Sequence, residues 1–134
     1  MEIEEAFTAY LKSYSGLTAL ISDRIYPEEL SQNATYPAVA YQFISQEQVE
    51  SFHTPDTVLT GDTFQFTSWA ATRKAADAVA KQIKKAFKNF NGIMGGAGGV
   101  QVEAITQVSK LKDKEDGKSL YRTMYEFEIW YQEV

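Results

Sequence analysis

Hydrophobic positions along this chain follow two periods, and the switches between them mark out its elements. Ile3, Ala6, Phe7, Tyr10, Leu11 and Tyr14 recur at the spacing that stacks side chains on one face of an α-helix. Glu2, Glu4 and Glu5 occupy its first turn, where carboxylates complement the positive end of the helix dipole. Ser15-Gly16 is the expected stop, with Gly16 in the left-handed conformation that closes helices, and Leu17 to Ile21 leave room for one further turn. Asp23-Arg24-Ile25-Tyr26-Pro27 reads as a turn and a short extended piece, and residues 28–35 as polar loop.

From Tyr36-Pro37 the period becomes two. Pro37 disfavours helix at Tyr36, and Val39, Tyr41 and Phe43 alternate with smaller or polar neighbours. A second strand is predicted from about Thr57 to Trp69, with Phe64 and Phe66 on one face and Thr63, Gln65 and Thr67 on the other. Residues 46–62 between and around these runs read as a mobile hairpin tip. Thr72 is placed to cap a second helix running to about Asn89. Ala76, Val79, Ala80, Ile83, Phe87 and Phe90 form its apolar stripe, with Lys74, Lys81, Lys84, Lys85 and Lys88 opposite. The glycines of segment 91–99 predict a flexible connector. Val100, Val102 and Ala104 open a further strand, and Lys112 to Lys118 form a charged tip with an Asp116-Gly117 turn. Tyr121, Thr123, Tyr125, Phe127, Ile129 and Tyr131 alternate in the clearest strand of the chain. The expectation is a single α+β domain over residues 1–134, in the order α-β-β-α-β-β. It would hold an antiparallel sheet of about four strands in two hairpins, with both helices on one face.

Composition narrows the function classes. With 134 residues, 44% apolar, the chain is long enough for one real core. No apolar run approaches the roughly 18–20 residues that cross a bilayer, and the acidic start is unlike a signal peptide. A soluble protein made in a cytoplasm is expected, with no membrane partner. The absence of Cys leaves neither disulfides nor thiolate metal sites. The net charge of −5 argues against a general nucleic-acid binder. It hides a division, however: residues 1–62 carry ten acids against Lys12 and Arg24, whereas residues 63–134 carry eleven bases against eight acids.

Catalytic readings are weak. The Gly92–Gly99 run follows a helix and precedes a strand, the reverse of a phosphate-binding loop, and no Lys-Ser/Thr comes after it. His53 is the sole histidine and lies on a predicted loop near Asp56. Glu126 and Glu128 share a strand face with Arg122, which reads as solvated surface rather than an acid–base pair. No catalytic residue, cofactor or metal is expected. The rival is a small-molecule-binding or enzymatic α+β domain whose pocket Tyr10, Tyr41, Tyr125 and Trp130 would line.

The segments Leu17-Thr-Ala-Leu-Ile21, Asp23-Arg-Ile-Tyr-Pro27, Tyr36-Pro-Ala-Val-Ala-Tyr41, Ala75-Ala-Asp-Ala-Val79 and Tyr125-Glu-Phe-Glu-Ile-Trp-Tyr131 occur in this order. Together they resemble the tail-completion, or tail-to-head joining, proteins of long-tailed bacteriophages. The resemblance implies a virion subunit, assembled in the host cytoplasm, that forms a hexameric ring at the head-proximal end of the tail. Its implied partners are copies of itself, the tail tube protein and the head connector, with DNA only as passing cargo. A ring joins unlike faces of neighbouring subunits, and the divided charge supplies unlike faces. The expected interface sets Glu47, Glu50, Asp56 and Asp62 against Lys74, Lys81, Lys84, Lys85 and Lys88, with Lys112 and Lys114 of the second hairpin.

Overall fold

The structure is a computed structural model that describes all residues except 31–32, 51–57, 116, 118 and 134. His53 and Asp56, in the middle of the predicted 46–62 tip, lie outside the described residues. The elements are α1 (Ile3–Ser13), α2 (Ser15–Ile21), β1 (Ile25–Pro27), β2 (Ala38–Glu50), β3 (Val58–Ala70), α3 (Arg73–Phe87), β4 (Gly92–Met94), β5 (Val100–Lys114) and β6 (Tyr121–Glu133).

This corrects the expected architecture. The chain is mostly β, and its six strands form one mixed sheet curved into a half-barrel, with three helices. Sheet order is β1-β2-β3-β6-β5-β4. The four long strands pair antiparallel, as two hairpins whose inner strands β3 and β6 run together from Val58↔Glu133 to Ala70↔Tyr121. The strands missing from the sequence reading are short. β1 joins β2 in parallel through Ile25↔Val39 to Pro27↔Tyr41, and β4 joins β5 through Gly92↔Val102 to Met94↔Val100. Three residues are too few to establish a period.

Three local expectations also change. α1 ends at Tyr14, whose ψ of 105° leaves the helical region, so Ser15-Gly16 begins α2 instead of closing α1. Residues 46–50 and 58–62 are ladder, not loop: they pair from Gln46↔Asp62 to Glu50↔Val58. Part of the glycine segment is likewise built in. Met94 is fully buried, and a Cβ on Gly95, whose φ is +93°, would lie 3.0 Å from the Ala6 backbone. Glycine serves there for close approach to α1 under a left-handed backbone.

Strand parity decides where the core sits. Val39 and Tyr41 of β2, Phe64 and Phe66 of β3, and Tyr125, Phe127 and Ile129 of β6 share the sheet face that the helices cover. Phe7 of α1 inserts among them, with ring centroids 5.0 Å from Tyr41, 4.9 Å from Phe64 and 5.2 Å from Phe66, all edge-on. Phe87 of α3 continues the cluster at 5.4 Å from Phe66 and 5.2 Å from Phe127. Edge-to-face geometry suits ring quadrupoles and adds to the burial of large apolar surfaces. Tyr10 ties the two helices, its Oη donating to the Ala86 carbonyl at 2.5 Å. On the opposite face Trp130 lies over Gly61, where a Cβ would come within 2.7 Å of its ring.

Phe7→Ala should therefore cost about 3–5 kcal/mol of unfolding free energy, against within about 0.5 kcal/mol for Lys74→Ala on the exposed side of α3. Urea denaturation followed by circular dichroism checks this. A loss below about 1 kcal/mol at Phe7 would contradict its central position.

Candidate assembly surface

α3 is amphipathic, and burying Val79, Ile83 and Phe87 on β3 and β6 leaves its lysines outward. Thr72 caps it as expected, accepting from the Ala75 amide at 3.1 Å. Arg73 then fixes the helix start to the second hairpin, donating to the carbonyls of Arg122 at 2.8 Å and Asp113 at 2.6 Å. With α3 held this way, Lys81, Lys84, Lys85 and Lys88 reach toward β5, where Lys110 and Lys112 meet them. The six lysines and Asp77, Thr123 and Tyr125 line a groove of about 370 Å³.

The groove floor is aromatic. Tyr125 is buried, and the Nζ atoms of Lys84 and Lys110 stand 5.8 Å and 5.3 Å from its ring centroid. Attraction to the ring face holds both ammonium groups over it. Asp77 is the carboxylate in the lining. It accepts from Thr123 Oγ1 at 2.7 Å and pairs with Lys112 Nζ at 3.0 Å. Burial pushes its pKa up, but the Thr123 hydroxyl, Lys112 and the Arg73 guanidinium together hold it below the ordinary carboxylate value. One carboxylate among six ammonium groups leaves the groove strongly positive, a surface that concentrates anions.

The predicted residues divide accordingly. Lys81, Lys84, Lys85, Lys88 and Lys112 come together in the groove; Lys74 is exposed but outside it. Lys112 and Lys114 belong to β5 and not to a hairpin tip, and Lys114 Nζ lies 5.4 Å from the Tyr121 ring centroid. Lys110 joins the groove although it was not among the expected residues. Its signal was the shared parity of Lys110, Lys112 and Lys114, which a strand extending to Lys114 puts on one face.

Of the acids, Glu47 is exposed on β2 and Glu50 ends that strand. Asp62 is not surface at all, with 4% of its area exposed. It shares the parity of Phe64 and Phe66, and its carboxylate accepts from Tyr131 Oη at 2.9 Å and Gln46 Nε2 at 2.8 Å. Burial, this hydrogen bond and the nearby charges of Asp62, Glu133 and Glu2 push the Tyr131 phenol up. The exposed negative charge on that side comes instead from Glu2, Glu4 and Glu28. The Glu4 carboxyl is pushed up by partial burial and then by Asp62, Glu28 and Glu2. Glu28 follows β1, its amide bonded to the Tyr41 carbonyl on β2. Glu28 thus lies at the β1–β2 edge, whereas Glu2 lines a cleft with Ile93 of β4 and Val100 and Gln101 of β5; none of the three acids lines the lysine groove between α3 and β5.

The four aromatics of the small-molecule alternative do not line one cavity. Tyr10 lies between α1 and α3, Tyr41 and Tyr125 in or against the core under the helices, and Trp130 on the other face.

A profile of the tail completion protein gp17 family matches residues 5–132. The chain belongs to that family. As a tail completion protein it is a structural component of the virion, located in the tail. The same fold occurs in a chain of the virion of a native gene transfer agent (GTA) particle. That chain matches with TM-score 0.71, covering 98% of this chain and 95% of its own length, at 10% identity. Identity that low makes it a likeness of fold. Among curated proteins, none matches this tail completion protein.

Because the native pKa of Asp77 is depressed, its ion pair adds stability above the ordinary carboxylate pKa of about 4, and that stability is lost as the pH falls through the lowered native value. Asp77→Asn should lower stability near neutral pH by no more than about 1 kcal/mol, since the Lys112 pair is partly solvated. The gap to wild type should close below pH of about 4. Urea melts between these limits check it; a gap unchanged in acid would contradict the assignment.

Proposed function

We propose that the chain is a non-enzymatic ring subunit that closes the head-proximal end of the tail and joins it to the head connector. The ring is hexameric in this reading, as the family resemblance implies, and DNA passes through its lumen without being recognised. Its partners are copies of itself, the tail tube protein beneath and the connector above.

The observation that carries the reading is the placement of charge in a tail completion protein. The groove of Lys81, Lys84, Lys85, Lys88, Lys110 and Lys112 lies on one side of the sheet. None of Glu2, Glu4 and Glu28 lines that groove, and they lie close enough together for their repulsion to contribute to raising the Glu4 pKa. A surface that is unlike at its two ends suits head-to-tail contacts, which close into rings, rather than a two-fold dimer. Neighbouring cations would relieve the crowded carboxylates, and complementary potentials would steer the correct faces together.

Reversing Lys81, Lys84 and Lys85 to Glu should reduce joining of tails to heads at least about tenfold, because like charges brought face to face cost several kcal/mol. The readout is complementation: particles lacking the protein, expected as separate full heads and tails by electron microscopy, are supplied with wild-type or triple-variant protein. Lys12→Glu on α1 is the control for a charge outside the groove. Wild-type joining by a folded triple variant would remove the groove from the interface.

A further inference from the structure

The charges say which sides meet, and the sheet says how. β1 covers β2 only as far as Tyr41, and β4 covers β5 only as far as Val102, with the Glu103 carbonyl taken by Asn91 Nδ2 at 2.9 Å. Beyond those points, among the described residues, β2 from Gln42 and β5 from Ala104 have a paired neighbour on one side only. Each outer side therefore presents backbone N–H and C=O groups, a template for another strand.

Following the register across the sheet puts the two free stretches at the same height. Gln42 aligns through Gln65 and Glu126 with Ser109, and Glu47 through Gly61 and Trp130 with Ala104. Over this common window the molecule also exposes large apolar side chains at both edges. Phe43 and Ile44 on β2 are 46% and 44% exposed, and Val108 on β5 is 55% exposed. Each edge carries a bulge here, between Phe43 and Ser45 on β2 and between Gln107 and Ser109 on β5. A bulge twists an edge away from a flat strand. It therefore discourages indiscriminate pairing while leaving the edge open to a partner of matching twist.

Resting on the ring reading above, we propose that neighbouring subunits join by strand addition, the free stretch of β5 in one copy pairing with the free stretch of β2 in the next. A second copy is the occupant because each edge finds its complement on the other side of the same molecule. Both edges are free at one height, both expose apolar residues there, and Glu28 and Glu47 lie by the β2 edge while Lys110 and Lys112 lie on β5. In the sheet β2 and β5 run in opposite directions. A rotation about an axis along the strands preserves those directions, so the junction is antiparallel. The sheets of successive subunits then continue into one another, and the free stretches of β2 and β5 are no longer open edges.

Because the chain has no Cys, the engineered thiols are the only ones it carries. Gln42→Cys and Ser109→Cys place one thiol on each free edge, and assemblies on purified tails are treated with a bis-maleimide of about 10 Å reach, long enough to tolerate a one-strand stagger. The double variant should give a ladder of covalent multimers on denaturing gels. An equal mixture of the two single variants should stop at dimers, and neither single variant alone should cross-link. Rings seen by electron microscopy without the ladder would overturn the strand junction and leave the ring standing; tails that gather no ring would overturn both. Dimers from Gln42→Cys alone, or cross-links to a tail tube subunit, would assign the edge to a different contact and overturn the proposal. Unchanged thermal melts of the variants establish that the fold is intact in every arm.

Discussion

The structure depends on the in-register pairing of β3 with β6. That ladder, from Val58↔Glu133 to Ala70↔Tyr121, sets the parity of every other strand in the sheet. It gathers Phe64, Phe66, Tyr125 and Phe127 on one side and Thr63, Gln65, Glu126 and Glu128 on the other. A slip of one residue would exchange the two sets. With the parity fixed, the helices have one face to cover, and Phe7 and Phe87 lock them to it. What remains for other molecules is the helix-free face, the outward sides of α1 and α3, and the two partly covered edges.

Those remaining surfaces are consistent with a protein whose work is assembly. The lysines of α3 would repel one another on an isolated helix, yet here they face three more features of the second hairpin: the Tyr125 ring, Lys110 and Lys112. The concentration of positive charge is thus a product of tertiary placement, since α3 and β5 are apart in sequence. The acidic cluster arises similarly, from the start of α1 and the residue after β1. Charge supplies orientation at long range, and backbone pairing supplies a directional contact once two subunits meet. Neither alone specifies a ring; together they select one side of a neighbour and one strand direction.

Much of this was legible in the residues. The stripes of α1 and α3, the alternation of β3 and β6, the Thr72 cap and the lysine face all follow from period and end chemistry. Membership of the tail completion family was legible in five short segments of core and turn residues. The extended piece at Ile25–Pro27 was read, but not its place in the sheet, and β4 was not read at all, because both strands owe their pairing to the neighbours they lie against. Gly92 to Gly99 looked free to move because composition reports backbone freedom and not close packing, and it is packing against Ala6 that requires a glycine at Gly95. Asp62 was misplaced for a different reason. Its parity with Phe64 and Phe66 pointed inward, but its charge argued for solvent; the hydroxyl of Tyr131 and the amide of Gln46, both remote in sequence, make the inward position tolerable. Lys112 and Lys114 were assigned to a tip because charge runs commonly mark turns, whereas here the ladder continues beneath them.

In the proposed assembly, the free edges and the charged surfaces of this subunit are covered by other subunits in the tail. Amide hydrogen exchange of the free chain against the chain bound on tails tests it most directly. Amides of 42–47 and 104–109 should slow markedly on binding, while those of the β3–β6 ladder, already paired, change little. Equal exchange of both edges in the two states would contradict it.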